Sequence, residues 1–252
     1  MADPVAIVTG AASGIGRATA ELFAERGWRV TAADRQEGPV RDFAAQAPER
    51  RLAVAVDVRD AGEVARMVER TAATFGALNA LVAVAGVEID RPVDALDEND
   101  WDLVIDTNLK GTYLCCRAAV PHLRDAGGGA LITTGSVLGR LSMPGVTAYA
   151  AAKAGIEALT RTMALDHAAD GIRAVCVLPG TTDTPLVWQG IADADLPAAK
   201  RAAAADVPVG FVAQPRHIAE VIAFAVSPAA AFVTGTSLVA DGGTLARIAA
   251  TF

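Results

Sequence analysis

Along the chain, short runs of β-branched and small apolar residues alternate with longer segments whose apolar positions recur every three to four residues. "VAIVTG", "WRVTAAD", "RLAVAVDV", "ALNALVAVAG", "GALITTGS", "IRAVCVLPG" and "SLVADGG" read as strands, seven in all. Between them, "RATAELFAERG", "AGEVARMVERTAATFG", "ENDWDLVIDTNLKGTYLCCRAAVPHLRDAG", "AYAAAKAGIEALTRTMALDHAADG" and "PRHIAEVIAFAVSP" carry helical spacing. The third of these reads as one long helical region, and the fourth is stopped by Gly171. The strands show little polar alternation, the pattern of parallel strands covered on both faces. Strand and helix in turn predict an α/β fold built on a doubly wound parallel sheet of about seven strands. A single domain over residues 1–252 absorbs every element, and the one long segment without a strand runs from about Thr181 to Val209.

Charge and composition narrow the class. The formal net charge is -7, against the basic patch expected of a nucleic-acid binder. No apolar run reaches the ~18 residues of a membrane span. The N-terminus "MADPVAIVTG" lacks the basic start and apolar stretch of a signal peptide. The expectation is a cytoplasmic protein with neither membrane nor nucleic acid as partner. Cys115, Cys116 and Cys176 have no metal-ligand spacing and read as small buried hydrophobes. His122, His167 and His217 are scattered singly, so no metal is proposed.

Two patterns carry chemistry. The first strand runs into "TGAASGIG", which places Gly10, Gly14 and Gly16 just before a helix. Glycines there permit a tight turn and close approach to a ligand, and the helix start favours phosphate. Asp34 closes the second strand, where a dinucleotide site places an acid on the ribose hydroxyls. Asp57 closes the third strand at the same carboxyl edge. The second pattern is "YAAAK". Tyr149 and Lys153 are four residues apart, which stacks them on one helical face, about 6 Å apart along the axis. A phenol with an ordinary pKa near ~10 is a poor base at neutral pH, and a nearby ammonium favours its ionised form.

"TGAASGIG", "NLKG", "TTGS", "YAAAK" and "PGTTDTP", in that order, resemble the short-chain dehydrogenase/reductase family, and the likeness covers essentially the whole chain. It implies a single Rossmann-type domain that transfers a hydride between a nicotinamide cofactor and a secondary alcohol or ketone. Tyr149 would then be the general acid/base, Lys153 its tuner and the holder of the nicotinamide ribose, Ser136 the donor to the substrate oxygen, and Asn108 the support of a proton relay. Gly10, Ser13, Gly14, Ile15, Gly16, Asp34, Arg35, Asp57, Val58, Ala85, Gly86, Pro179, Gly180, Thr182 and Thr184 would join Tyr149 and Lys153 around the cofactor. The family often has two Asn where this chain has Ala83 and Val84, and Ser where it has Ala152 and Gly135. The missing amides put local stability and cofactor positioning in question.

The acid at Asp34 and the neutral Ser13 in the glycine loop point to NAD rather than NADP, with Arg35 as the complication. The stretch at about 181–209 resembles the family's substrate lid. Leu186 and Trp188 in it, with Leu138, Met143 and Val146, are the pocket candidates for a neutral, partly hydrophobic substrate. Arg140, Lys200 and Arg201 are the cations available to an anionic one. "PGTTDTP" also resembles relatives that act on sugar acids or dihydrodiols. Small apolar residues on the outer faces of "AGIEALTRTMALDHA" and "AVSPAAAFVTGTSLVA", with the family likeness, point to a homotetramer. A non-catalytic dinucleotide-binding redox sensor is the alternative from another class. A nucleotide-sugar epimerase would need a larger C-terminal region than the chain holds.

Overall fold

A computed structural model describes residues 3–247. Seven strands, β1 (Val5–Thr9), β2 (Arg29–Asp34), β3 (Arg51–Ala55), β4 (Ala80–Ala83), β5 (Gly129–Thr134), β6 (Ile172–Pro179) and β7 (Thr236–Ala240), form one sheet in the order β3-β2-β1-β4-β5-β6-β7. Every pairing is parallel. The helices are α1 (Gly14–Glu25), α2 (Glu37–Ala45), α3 (Ala61–Phe75), α4 (Glu98–Ile105), α5 (Gly111–Asp125), α6 (Thr147–Asp166), α7 (Leu196–Asp206) and α8 (Pro215–Val226).

Alternate residues of each central strand face opposite ways, and both sets are apolar. Ala6, Val8, Val82, Ile132 and Val175 pack with Leu22 and Phe23 of α1 and with Ile218 and Ile222 of α8. Ile7, Leu81, Leu131 and Ala174 pack on the other face with Met67 of α3, Leu123 of α5 and Met163 of α6. The strand order reverses between β1 and β4. That switch opens a crevice at the carboxyl edge of the sheet, where ligands bind in folds of this kind. Burial pushes the Cys115 thiol up to about 12, as expected of a small core side chain rather than a reactive one.

Two elements differ from the sequence reading. The stretch Glu37–Ala45 is helical although Gly38 and Pro39 occupy its first turn, where their poor helix propensity matters least. It is held by burial of Val40 and Phe43, and the guanidiniums of Arg17 and Arg51 lie over the Phe43 ring. The long helical region is α4 and α5 joined through a π turn, Asp106–Lys110. One extra residue in a turn leaves the hydrophobic period almost unchanged, so the pattern cannot reveal it. The segment from Thr181 to Val209 contains α7.

At Ala83 the pairing of β4 with β5 continues, opposite Thr133. Ala83 is buried and Val84 packs on the core beside α1 and α8. The backbone N–H groups of Val84 and Ala85 donate to Oγ1 of Thr9, at 3.2 and 3.3 Å. One buried hydroxyl at the end of β1 thus ties down the end of β4 without an amide side chain. Thr9→Val keeps the shape and leaves both donors unpaired, so we expect a loss of about 1–3 kcal/mol in urea unfolding. A midpoint and slope equal to wild type would show that these contacts carry no stability.

Candidate active site

The crevice forms a cavity of about 540 Å3. At one end the chain leaves β1 through Gly10, at φ 68°, and enters α1 at Gly14, at φ 52°, both in the left-handed region that favours glycine. A Cβ on Gly16 would stand 2.1 Å from the carbonyl oxygen of Gly10, so a side chain there cannot be accommodated. Ser13, the residue before α1, makes no side-chain cap. The first N–H groups of α1 therefore open toward the cavity wall formed by Ser13, Gly14, Ile15 and Gly16.

Asp34 accepts hydrogen bonds from the backbone N–H of Ala12, at 3.0 Å, and of Gln36, at 2.9 Å. It braces the glycine loop while still lining the cavity. Arg35 is exposed at the cavity rim. Asp57 is held by Arg59, whose guanidinium lowers its pKa, with burial working against this and Arg35 adding a smaller pull. Val58, Ala85, Gly86, Pro179, Gly180, Thr182 and Thr184 complete the cofactor-side wall anticipated from sequence.

Ser136, Tyr149 and Lys153 converge further along the same cavity. Lys153 is buried, and its Nζ donates to the carbonyl oxygen of Thr134 at 2.9 Å. The same ammonium lies 5.3 Å from the centre of the Tyr149 ring. Burial lowers the Lys153 pKa to about 8, with smaller opposing pulls from Cys176 and Glu88. Burial also raises the Tyr149 phenol, Glu88 adds to that rise, and a hydrogen bond with Ser136 opposes it. The lowering of the phenol expected from Lys153 is therefore not what the site shows, because burial of the ring governs its direction. Oγ1 of Thr134, in the same wall, is buried without a hydrogen-bond partner. The cradle without side chains, the open helix start and this orphan hydroxyl all fit a nicotinamide dinucleotide.

Three expected site residues do not themselves line the cavity. Asn108 sits in the π turn and is fully buried. Its side chain donates to the carbonyl oxygen of Val87 at 2.7 Å and accepts from the N–H of Val87 at 3.0 Å, so it clamps the loop after β4 instead of lining the cavity. A Cβ on Gly86 would stand 2.4 Å from Oδ1 of Asn108, so this approach requires glycine. Val146 packs behind Tyr149 with Val104 and Ala148. Trp188 turns its indole N–H to Asp183, at 2.7 Å, and the same carboxylate holds Lys200. Leu138, Met143 and Leu186 do line the cavity.

Glu88, Asp90, Gln189 and Thr244 also line the cavity and were not anticipated from sequence. Gln189 donates from Nε2 to the carbonyl oxygen of Glu88 at 3.0 Å, joining the segment after β6 to the loop after β4. The carboxyl-edge rule that flagged Asp34 and Asp57 applies equally to an acid just beyond β4, and would have found Glu88. Arg140, Lys200 and Arg201 stay away from the cavity. The first is paired with Glu157, the second with Asp183, and the third is exposed.

Among the described residues no group of three or more His, Cys, Asp or Glu could hold a metal, and no helix is long and apolar enough to cross a membrane.

Comparison with known proteins agrees with this geometry. A family profile described as enoyl-(acyl carrier protein) reductase matches residues 10–244. The chain is 47% identical to cis-4-hydroxycyclohexanecarboxylate dehydrogenase of Sinomonas cyclohexanicum over 96% of each chain. It is 35% identical to 3-oxoacyl-(acyl-carrier-protein) reductase of Thermotoga maritima, covering 95% of this chain and 96% of that one. It is 36% identical to 3beta-hydroxysteroid dehydrogenase 1 of Eggerthella lenta, covering 94% and 92%. A 3-ketoacyl-(acyl-carrier-protein) reductase from Brucella melitensis, solved with NADH, superposes with a TM-score of 0.90 at 28% identity, covering 96% of this chain and 98% of that one. A glycine cradle, a buried Tyr–Lys face on one helix and this set of relatives converge on one conclusion: the chain belongs to the short-chain dehydrogenase/reductase family of oxidoreductases.

Proposed function

We propose that the protein is an NAD(H)-dependent dehydrogenase that interconverts a secondary ring alcohol and its ketone, with Tyr149 as general acid/base. The observation that carries this reading is the meeting of Ser136, Tyr149 and a buried Lys153 in the cavity that also holds the glycine cradle and Asp34. A bound nicotinamide dinucleotide supplies the hydride acceptor or donor and, when oxidised, a positive charge. The open start of α1 takes the pyrophosphate, and Asp34 takes the adenosine ribose. Lys153 would hold the second ribose and, at its lowered pKa, could take up a proton. Ser136 donates to the substrate oxygen. In ketone reduction the phenol of Tyr149 would donate its proton to that oxygen; in alcohol oxidation Tyr149 would take the alcohol's proton only as it hands its own on towards Lys153.

A ring alcohol is supported by two of the relatives, whose names give a hydroxycyclohexane and a hydroxysteroid as substrate. Val87, Leu138, Met143, Leu186 and Val187 give the substrate end of the cavity an apolar lining. The segment at about 181–209, latched by Gln189, serves as a lid on a single domain that spans the chain. Tyr149→Phe should lower kcat/KM by about 10²–10⁴-fold with NADH affinity unchanged. Full activity in that variant would remove Tyr149 from its role.

NAD is preferred over NADP because the Asp34 carboxylate accepts from ribose hydroxyls and repels a 2′-phosphate. The ratio of kcat/KM for the two cofactors should favour NAD by at least about tenfold, or 1.4 kcal/mol. Asp34→Ala should shrink it. Equal use of both by wild type would assign the choice to Arg35.

A homotetramer is supported by large apolar side chains left at the surface. Leu165 on α6, Phe224 on α8, Phe232 in the turn before β7 and Val239 on β7 are exposed, Phe232 completely. Light scattering at micromolar concentration should give about four times the chain mass of 25.7 kDa. The mass of one chain would refute the assembly.

A further inference from the structure

Glu88 follows the loop that Asn108 clamps, and it lines the cavity together with Ser136, Tyr149 and Lys153. It is half-buried, and among the described residues its carboxyl group has no hydrogen-bond or ion-pair partner. Its backbone carbonyl is latched to the segment after β6 by Gln189, which ties down the loop that carries it. Asp90, two residues on, lines the same cavity, and the cations in its described lining are Lys153 and, beside Asp34 and Asp57, Arg35 and Arg59. The relative at 47% identity is named for a carboxylate substrate, yet this end of the cavity presents acids.

Building on the ring-alcohol reading, we propose that Glu88 determines specificity. Its carboxyl group meets the substituent that the substrate carries across the ring from the reacting carbon, and its charge state decides whether that substituent can be an anion. Protonated, Glu88 donates a hydrogen bond to a carboxylate. Ionised, it accepts one from a neutral amide or hydroxyl and repels a carboxylate. The charged and titratable groups acting on it are Asp90 from its own loop and Lys153 and Tyr149 from α6, and the facing group after β6 is the neutral Gln189 amide. Burial, with Asp90 adding and Lys153 opposing, raises the Glu88 pKa from 4.5 to about 7, so the change of charge falls in the working range.

The test uses 4-hydroxycyclohexanecarboxylate and its carboxamide, which differ in charge and little in shape. The ratio of kcat/KM, carboxylate over carboxamide, cancels the pH dependence of the shared chemistry at Tyr149. In wild type it should fall about tenfold or more between about pH 6 and about pH 9. Glu88→Gln should flatten it, and Glu88→Asp, which keeps a carboxyl group, should restore a slope. A readout free of substrate accompanies these. The raised folded-state value means that the folded protein holds the extra proton between 4.5 and about 7, so this group's contribution to stability falls as pH rises across that window. Glu88→Gln should therefore melt above wild type at about pH 8, with the difference narrowing towards about pH 5. A flat wild-type ratio, a slope that survives Glu88→Gln, or binding of neither compound to the enzyme–NAD complex overturns the proposal. Ligand binding without turnover on any alcohol would instead count against the hydride-transfer reading.

Discussion

The site depends on a single buried ammonium. Lys153 lies where a charge is costly, and the carbonyl oxygen of Thr134 compensates it at the end of β5. That contact requires α6 to lie close against the sheet. The approach is secured by a hydrogen bond between the buried hydroxyls of Thr133 and Thr160, at 2.7 Å, and by Gly155, where a Cβ would stand 2.9 Å from Leu109 of the π turn. The same π turn aims Asn108 at Val87 and so fixes the loop that carries Glu88. Displacing Lys153 would disturb the helix that presents Tyr149, the loop after β4 and the wall that holds Thr134 together.

The acids around this ammonium set the electrostatic character of the cavity. Asp34 and Asp57 are fastened, the first to backbone N–H groups and the second to Arg59, and neither is free to turn away from the cofactor end. Asp183 is fastened too, by Trp188 and Lys200, and its charge is spent on ordering the segment after β6. Glu88 and Asp90 remain at the substrate end with Lys153 as the facing cation. A cavity arranged in this way fixes its acids at the glycine-cradle end and, among the described residues, leaves the Glu88 carboxyl without a hydrogen-bond partner at the other.

Much of the fold was legible in the sequence because it rests on patterns with a short range. Apolar strands, glycine stops and the alternation of strand with helix are local, and they lead to the seven-stranded parallel sheet. The glycine cradle and the Tyr149–Lys153 spacing are local as well, and the structure places both on one cavity. What was not legible depends on partners distant in sequence. The helix Glu37–Ala45 forms against its own propensity because Phe43 is sandwiched by Arg17 and Arg51. Trp188 is fastened to Asp183, and Asn108 to Val87. Beside the family positions Ala83 and Val84, the oxygen that receives the N–H of Val84 comes from Thr9, on another strand.

The central claim is that the cavity brings a secondary alcohol and a nicotinamide together, so that hydrogen moves directly between them while Tyr149 takes the proton. The most direct test is a single turnover of the enzyme with NAD and a 4-substituted cyclohexanol deuterated at its carbinol carbon. The account predicts that the label appears at C4 of the nicotinamide, on one face only, and that the deuterated alcohol reacts more slowly than the unlabelled one. Tight NAD binding with no transfer of label from any ring alcohol would contradict it and leave the chain a dinucleotide-binding protein without this chemistry.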